Sequence, residues 1–261
     1  PIPYSYDETE SGFAIDIEKL RASITDKTTA LVYNNYQNPI SAASSQDEME
    51  ALADLAIEHD LWVLSDDAYY EIRYTDEPPR SIVNIPGMKD RTVILYTFSK
   101  KFAMTGWRVG ASIGPSEVIN QIARFNINDE SCTNHFIQHA LAETVGGDPS
   151  GANELSSELQ ARRDETIKGL NAIDGIHVPT PESTFYSYPN VSTVMANKGF
   201  TDLDKFRTSA LEATGVSFCA RHHFGTPLAD ETDHYIRLAY SGINQNDIRE
   251  GLAKLKSWIE G

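Results

Sequence analysis

Short apolar runs and one amphipathic stretch alternate along the first half of the chain. The apolar runs predict strands at 29–34, 61–66 and 92–96. Between the first two, Ser45 and Glu48 form a capping box, and the apolar stripe that follows predicts a helix over 46–59. Strand, helix and strand in this order predict an α/β fold with a mainly parallel sheet and flanking helices. The run at 109–113 returns after a connection too short for a crossover, so we expect it to be antiparallel.

Polar residues follow three of these predicted strands. Asn38, Asp66 and Lys100 each lie at or just beyond the carboxyl end of a strand. Ligands of open α/β sheets bind outside the carboxyl ends of the strands. The pattern therefore predicts one site, built by three different strands at one edge of the sheet.

The second half of the chain has a different pattern, in which helices alternate with very short strands. The predicted helices lie at 116–145, 153–172, 202–214 and 245–259, and the predicted strands at 177–178, 184–188, 216–218 and 235–239. Glycine and proline make 146–151 the clearest linker in the chain. We therefore expect a large domain over 1–150 and a smaller α+β domain over 151–261.

Composition and charge narrow the range of partners. A chain of 261 residues with 40% hydrophobic content can bury a sizeable core. Its 22 basic and 38 acidic residues give a net charge of −16, which argues against nucleic acid or an anionic membrane as the main partner. Any anionic ligand must therefore meet a local cluster of positive groups, which draws attention to Lys100, Arg108 and Arg237.

The two cysteines predict the cellular setting. Cys132 and Cys219 have no metal-type spacing and form no disulfide framework, so we expect a reduced, cytoplasmic environment and no metal centre. No run of about 18 apolar residues occurs, and the first residues do not resemble a signal peptide. These features predict a soluble protein without a membrane partner.

The segment after the third predicted strand carries a lysine, an arginine and two hydroxyl side chains. Lys100 comes at the end of a strand, where burial against a ligand lowers the pKa of an amine and makes it nucleophilic. Arg108 offers a planar set of donors suited to a phosphate, and Thr97 and Ser99 can add hydroxyl donors. Taken alone, the segment is also compatible with a basic surface loop.

Residues 97–110 resemble the lysine segment of class I/II aminotransferases, which are pyridoxal-phosphate enzymes of fold type I. In that family the lysine matching Lys100 holds the cofactor covalently as a Schiff base. The arginine matching Arg108 grips the cofactor phosphate, and the resemblance implies that Thr97 and Ser99 belong to the same site. Thr97 stands where the family more often has serine or glycine.

Two further motifs support the resemblance. Asp66 and Tyr69 match the family's aspartate, which keeps the pyridine nitrogen protonated, and its tyrosine, which hydrogen-bonds the phenolate oxygen. Asp67 is also an aspartate and could be the match, but the three-residue spacing to Tyr69 favours Asp66. Asn38 precedes Pro-Ile-Ser where the family usually reads Pro-Thr-Gly, and it would reach the phenolate oxygen and the substrate. Each motif alone is compatible with a turn or a capping pair.

Arg237 lies inside the apolar run 235–239, where an unpaired guanidinium is costly to bury, which indicates a waiting anion. It resembles the family's small-domain arginine, which binds the substrate α-carboxylate with two parallel contacts. A structural salt bridge is the alternative. Arg221, His222 and His223 match a loop near the family's active-site mouth. They either meet the second carboxylate of aspartate or glutamate or are surface charges.

The resemblance implies a pyridoxal 5'-phosphate-dependent aminotransferase, which moves an amino group between an L-amino acid and a 2-oxo acid in amino acid biosynthesis. Lys100 would be both the covalent anchor and the general acid/base. The resemblance also implies the fold type I large domain, a smaller carboxyl-terminal domain and a homodimer.

The family's chains are longer at the amino end, and this changes what the resemblance implies. The first strands of the large domain, a phosphate-binding loop, a ring-stacking aromatic residue and a tyrosine from the dimer partner are expected to be missing. A shortened sheet would favour self-association. Two alternatives stay open, a lyase or decarboxylase with the same cofactor and a catalytically silent binding or dimerisation module. Retention of Arg237 disfavours decarboxylation, whereas the short amino end supports the silent module.

Overall fold

The structure is a computed structural model that describes residues 1–261. Its strands are β1 (Tyr6–Thr9), β2 (Gly12–Ile15), β3 (Ala30–Tyr33), β4 (Trp62–Asp66), β5 (Thr92–Thr97), β6 (Gly110–Ile113), β7 (Tyr186–Ser187), β8 (Cys219–Ala220) and β9 (Ile236–Ala239). Its α-helices are α1 (Ile17–Ser23), α2 (Gln46–Glu58), α3 (Phe98–Lys101), α4 (Ser116–Asn128), α5 (His135–Thr144), α6 (Ser150–Leu170), α7 (Ser192–Asn197), α8 (Leu203–Thr214) and α9 (Gln245–Glu260).

The first half of the chain forms a four-stranded sheet in the order β3-β4-β5-β6. The β3–β4 and β4–β5 pairs are parallel, and β6 runs antiparallel to β5, which confirms the prediction for this part of the chain. At the β5–β6 pair, Gly110 lies opposite Thr97, and a Cβ atom on Gly110 would lie 2.7 Å from the carbonyl oxygen of Tyr96. Only glycine therefore allows β6 to pair this closely with the end of the strand that leads to Lys100.

Helix α2 begins with half of the predicted capping box. Ser45 caps the helix by accepting a hydrogen bond from the Glu48 N–H at 3.1 Å. The Glu48 carboxylate does not reach back to the cap but accepts the Ile15 N–H at 2.6 Å, so it fastens the end of β2 to the helix. The predicted apolar stripe, including Met49 and Leu52, is buried against β3 and β4.

The opposite face of this sheet and helices α4 and α5 expose large apolar side chains. Val32 on β3 is 59% exposed, Phe125 on α4 is 75% exposed and Phe136 on α5 is 65% exposed. Each of these side chains is a large apolar group that the chain itself leaves uncovered. No helix of the protein combines the length and apolar character needed to cross a bilayer.

The second half of the chain packs around its own core of 20 buried residues, all between Ile167 and Ile259. Its strands form an antiparallel sheet in the order β7-β9-β8. Helix α6 also contacts the first half, because Leu159 packs in a small cluster with Tyr69 and Tyr186. The division of the chain at residue 150 stays a prediction.

The predicted helix over 116–145 is wrong as a single element, because the chain forms α4 and α5 with a break between them. Ser131 in the break has a φ of +63°, a left-handed conformation that interrupts a helix. The predicted linker 146–151 is also too long. Helix α6 begins at Ser150, whose N–H and hydroxyl both donate to the Asp148 carboxylate at 2.9 Å.

Two of the predicted short strands do not form where the apolar pattern placed them. At 177–178 the side chain of Asn171 accepts the Val178 N–H at 2.7 Å and donates to the Val178 carbonyl at 3.0 Å, so these backbone groups need no strand partner. The predicted strand at 216–218 is displaced, because pairing with β9 begins only at Cys219, which lies opposite Arg237. Phe218 instead contributes its side chain to the core.

Candidate active site

The ends of β3 and β4 are joined by the side chain of Asn34. Its Nδ2 donates to the carbonyl oxygen of Asp66 at 2.7 Å, and its Oδ1 accepts the Asn38 N–H at 3.1 Å. The Asn38 side chain is then held from the other side, because its Oδ1 accepts a hydrogen bond from Arg237 Nη1 at 2.7 Å. Asn38 Nδ2 makes no hydrogen bond within the chain and remains available as a donor.

The two neighbouring aspartates at the end of β4 have different environments. Asp67 is buried and accepts hydrogen bonds from Ser65 Oγ at 2.7 Å and Ser81 Oγ at 3.1 Å. Burial raises the pKa of the Asp67 carboxyl, which the two hydroxyls partly oppose. Asp66 is half-buried, and within the chain its carboxylate accepts only the Ala68 N–H, at 3.2 Å. Asp66 is therefore the aspartate that can meet a ligand.

Tyr69 lies one turn beyond Asp66 and is buried against residues of the second half of the chain. Its hydroxyl oxygen lies 2.7 Å from the hydroxyl oxygen of Tyr186, and its ring packs edge-on against Phe185 at 5.5 Å between centroids. Burial, followed by the hydrogen bond with Tyr186, raises the pKa of the Tyr69 phenol. Tyr69 consequently keeps its proton and can donate it in a hydrogen bond.

Lys100 is placed by the short helix α3, which Thr97 caps by accepting the Ser99 N–H at 3.2 Å. Its Nζ lies 5.5 Å from the ring centre of Tyr69 and 5.7 Å from that of Phe185. Lys100 forms no ion pair with a carboxylate of the chain, whereas its neighbour Lys101 pairs with Glu71.

Charge and burial act together on the Lys100 amine. Burial lowers its pKa most, and the charges of Arg108 and Arg237 lower it further, while Asp66 opposes them. A lysine in such surroundings provides more of the neutral, nucleophilic amine near neutral pH than an exposed lysine does.

Arg108 lies at the end of the 3₁₀ turn Thr105–Trp107 in a left-handed conformation, with a φ of +53°. Such conformations are uncommon for residues other than glycine and occur often at functional sites. Its Nη1 donates to the carbonyl of Thr105 at 2.9 Å, and the rest of the exposed guanidinium has no ion-pair partner. The positive charge of Arg108 lies close enough to lower the pKa of the Lys100 amine. The Thr97 hydroxyl instead caps α3.

Arg237 on β9 is enclosed by aromatic rings. Its guanidinium carbon lies 4.3 Å from the ring centre of Tyr186 and 4.6 Å from that of Phe224. Its Nε is buried without a hydrogen-bond partner, and the chain provides it with no ion pair. The salt bridge that was the alternative does not form, because Nη1 and Nη2 donate to Asn38 Oδ1 at 2.7 Å and to Cys219 Sγ at 3.8 Å, which are uncharged. No carboxylate of the chain neutralises this half-buried guanidinium.

Four residues of the site were missed by the sequence analysis: Asn34, Phe185, Tyr186 and Phe224. Asn34 ends the first predicted strand, so its position at a strand end was a usable signal. The three aromatic residues belong to the second half of the chain, and no spacing in the sequence links them to Lys100 or Arg237.

The loop at 221–224 is tied to other elements of the protein. Arg221 forms a two-pronged ion pair with Glu231, at 2.6 and 2.9 Å. His222 Nε2 lies 3.2 Å from Asp204 Oδ2, and His223 Nδ1 accepts the Ala220 N–H at 3.2 Å. Arg221, which alone among these three side chains is permanently charged, is therefore already paired. This pairing argues against the prediction that the loop meets a second carboxylate.

The architecture and the site together define the class of protein. The structure of an aromatic aminotransferase from Pyrococcus horikoshii OT3 superposes with a TM-score of 0.87 and 30% identity, over 95% of this chain and 64% of that one. N-succinyldiaminopimelate aminotransferase from Mycobacterium tuberculosis also gives a TM-score of 0.87, with 26% identity, over 97% of this chain and 64% of that one. The fold is that of the fold type I aminotransferases.

The family follows from the sequence comparison. The family model "Aminotransferase class I and II" matches residues 1–255, and the chain belongs to this family. It is 31% identical to asparagine–oxo-acid transaminase from Streptococcus mutans, over 96% of this chain and 62% of that protein. It is 34% identical to aspartate aminotransferase from Musicola paradisiaca, over 89% of this chain and 56% of that protein. The chain therefore spans less than two thirds of the length of these relatives.

Proposed function

We propose that the protein is a pyridoxal-phosphate-dependent aminotransferase, which moves an amino group between an L-amino acid and a 2-oxo acid. One observation carries the proposal. In a chain with a net charge of −16, Arg108 and Arg237 lie close enough to Lys100 to lower the pKa of its amine, Arg237 contacts Asn38 beyond the end of β3, and none of the three cations has a carboxylate partner. Unpaired positive charges in such a place fit a ligand that carries a phosphate, an aldehyde and a carboxylate.

The residues present fit this cofactor in their donor chemistry. Asp66 would hold the proton of the pyridine nitrogen, and Tyr69 and the free Nδ2 of Asn38 would donate to the phenolate oxygen. Arg108 would bind the phosphate, with Ser99 and Thr97 beside it, and Lys100 would be the covalent anchor. These roles are supported by the unused carboxylate, amide and amine groups described above, and by the family to which the chain belongs.

When bound, pyridoxal phosphate provides an electron-accepting ring that makes the α-proton of an amino acid acidic. The chain provides the groups that handle this proton. Lys100 Nζ, kept partly neutral by burial and by two arginines, accepts the α-proton and later returns it. The rings of Tyr69 and Phe185 shield the amine from bulk water on one side.

Arg237 would bind the α-carboxylate of the amino acid through two parallel hydrogen bonds. The rings of Tyr186 and Phe224 and the amide of Asn38 fix the plane of its guanidinium, so little side-chain freedom is lost when the carboxylate arrives. A carboxylate held in this way is retained in the product, which favours transamination over decarboxylation.

We extend the proposal to the setting of the enzyme. Two free cysteines support a reduced, cytoplasmic compartment, and the family supports a role in amino acid biosynthesis. The two main cores, one between Ile15 and Met88 and the other between Ile167 and Ile259, support a division into domains at 1–150 and 151–261. The exposed apolar side chains of α4 and α5 support a homodimer.

The activity is tested by adding pyridoxal phosphate to the purified protein and recording the visible spectrum before and after a panel of amino acids. A transaminase converts the bound cofactor to its amine form and releases one equivalent of 2-oxo acid in a single turnover. A lyase gives a different product, and a silent module changes neither the spectrum nor the amino acid. Either of the last two results would overturn the proposal.

The homodimer is tested separately by light scattering. The double variant Phe125→Glu/Phe136→Glu places two charges on the apolar surface of α4 and α5 and should reduce the measured mass by half. Leu211→Glu, on α8, alters an exposed apolar residue elsewhere and should leave the mass unchanged. A wild-type protein that is monomeric at all concentrations would contradict the proposed dimer.

A further inference from the structure

A cluster of metal-ligating side chains lies outside the candidate active site, where helix α8 meets the 3₁₀ turn Arg221–Phe224. Ligand atoms of Asp204, His222 and His223 all lie within 4.8 Å of one another. Asp204 is the second residue of α8, and its Oδ2 lies 3.2 Å from His222 Nε2. The two histidine rings are neighbours, with centroids 4.5 Å apart.

We propose that these three residues form a binding site for a divalent transition metal such as Zn²⁺. Two imidazoles and a carboxylate are a donor set that suits zinc, and bonds of about 2.0–2.1 Å in a tetrahedron separate the ligand atoms by about 3.3 Å. The Asp204–His222 pair already has nearly this separation. The Asp204 carboxylate is also oriented, because Arg207 Nε donates to its other oxygen at 3.2 Å.

The third ligand requires one local change. His223 Nδ1 accepts the Ala220 N–H at 3.2 Å, so the proton of the neutral ring is on Nε2. Coordination through Nδ1 replaces this hydrogen bond, and coordination through Nε2 moves the proton to Nδ1. Either route breaks the Ala220–His223 hydrogen bond, and this gives the site a specific spectroscopic signature at the Ala220 amide.

Metal binding would connect α8 to a turn that contacts the proposed substrate arginine. The turn continues into Phe224, whose ring lies 4.6 Å from the Arg237 guanidinium carbon, and Ala220 precedes it on β8, which pairs with β9. A bound ion would cross-link this turn to the helix through two successive histidines. The metal site itself does not depend on the proposed transaminase activity.

A second histidine pair provides the control. His135 and His139 are one turn apart on α5 with ring centroids 4.7 Å apart, and such pairs also bind transition metals. No third histidine, cysteine or carboxylate lies close enough to form a three-ligand site with them. The variant His135→Ala/His139→Ala removes this pair and serves as the reference protein.

Zinc chloride is titrated into the reference protein by calorimetry, with the cysteines kept reduced by a non-chelating phosphine, and ¹⁵N spectra are recorded in parallel. We expect one equivalent of Zn²⁺ to bind and the Ala220 amide signal to shift. His222→Ala or Asp204→Asn in this background should weaken binding at least about tenfold. All these side chains are exposed, so the variants should fold.

Two results would overturn the proposal. The first is a reference protein that binds no Zn²⁺; binding by wild-type protein in a parallel titration would then assign the metal to α5. The second is an affinity that His222→Ala and Asp204→Asn leave unchanged.

Discussion

The ends of β4 and β5 show the same arrangement with opposite charge. Each end has two adjacent residues of one type, Asp66 and Asp67 at β4 and Lys100 and Lys101 at β5. One member of each pair is used within the fold, since Asp67 accepts two buried hydroxyls and Lys101 pairs with Glu71 at 2.9 Å. The other member lies in the site without a charged partner. Residue type therefore does not distinguish a structural side chain from a functional one. The direction in which the side chain points from the backbone does.

The two lysines give the sharpest test of this comparison. Lys100→Ala should abolish covalent binding of pyridoxal phosphate and reduce transamination by about 10²–10⁴-fold or more, because the anchor and the proton-transfer group are both lost. Lys101→Ala removes only a partly exposed ion pair and should change activity little. Visible spectra and initial rates measure both effects. Equal losses in the two variants would contradict the distinction.

Arg237 and Arg221, both in the second half of the chain, extend the comparison. Arg237→Ala should raise KM for the amino acid by about 10–100-fold, since charged hydrogen bonds contribute about 1.5–3 kcal/mol. Arg221→Ala breaks the pair with Glu231 and should leave KM nearly unchanged. Steady-state kinetics with a single amino acid distinguish them. A KM that responds to Arg221 rather than Arg237 would place the substrate carboxylate elsewhere.

The two aspartates should separate stability from function. Asp67→Ala leaves the Ser65 and Ser81 hydroxyls buried without an acceptor and should lower the free energy of unfolding by about 1–3 kcal/mol. Asp66→Ala should lower it by less than about 1 kcal/mol but weaken pyridoxal phosphate binding. Urea unfolding measures the stability of both variants, and titration with pyridoxal phosphate measures their cofactor binding. A stable Asp67→Ala variant together with an unstable Asp66→Ala variant would reverse the assignment.

The smallest effect concerns the pH dependence of the Lys100 amine. Because its pKa is lowered, the neutral amine appears at lower pH than in an ordinary lysine, and covalent binding of pyridoxal phosphate should rise with pH in this lower range. Arg237→Gln removes a positive charge that lowers this pKa, so the rise should move to higher pH. Arg221→Gln provides the control. An Arg237→Gln profile that is unshifted or moves to lower pH would show that this charge does not act on the amine.

Local sequence patterns predicted much of the secondary structure in the first half of the chain. Apolar runs bounded by turns located β3, β4 and β5, and the short connection before 109–113 predicted the antiparallel β6. Strand ends in a parallel sheet must meet at one edge, so Asn38, Asp66 and Lys100 could be grouped before their distances were known. The break between α4 and α5 was not predictable from apolar periodicity, because it depends on a left-handed backbone conformation at Ser131.

The sequence by itself determined which residues can carry charge and protons, and where along the chain the strands deliver them. Only the tertiary structure decided which of them are unpaired. Arg237 is separated from Asn38 by 199 positions and from Tyr186 by 51, yet it lies against both. Arg221 has the same chemistry and is neutralised by Glu231. Burial and pairing depend on which side chains the fold brings together: the second half of the chain places Tyr186 against Arg237 and Glu231 against Arg221, and packing of the two halves adds Asn38.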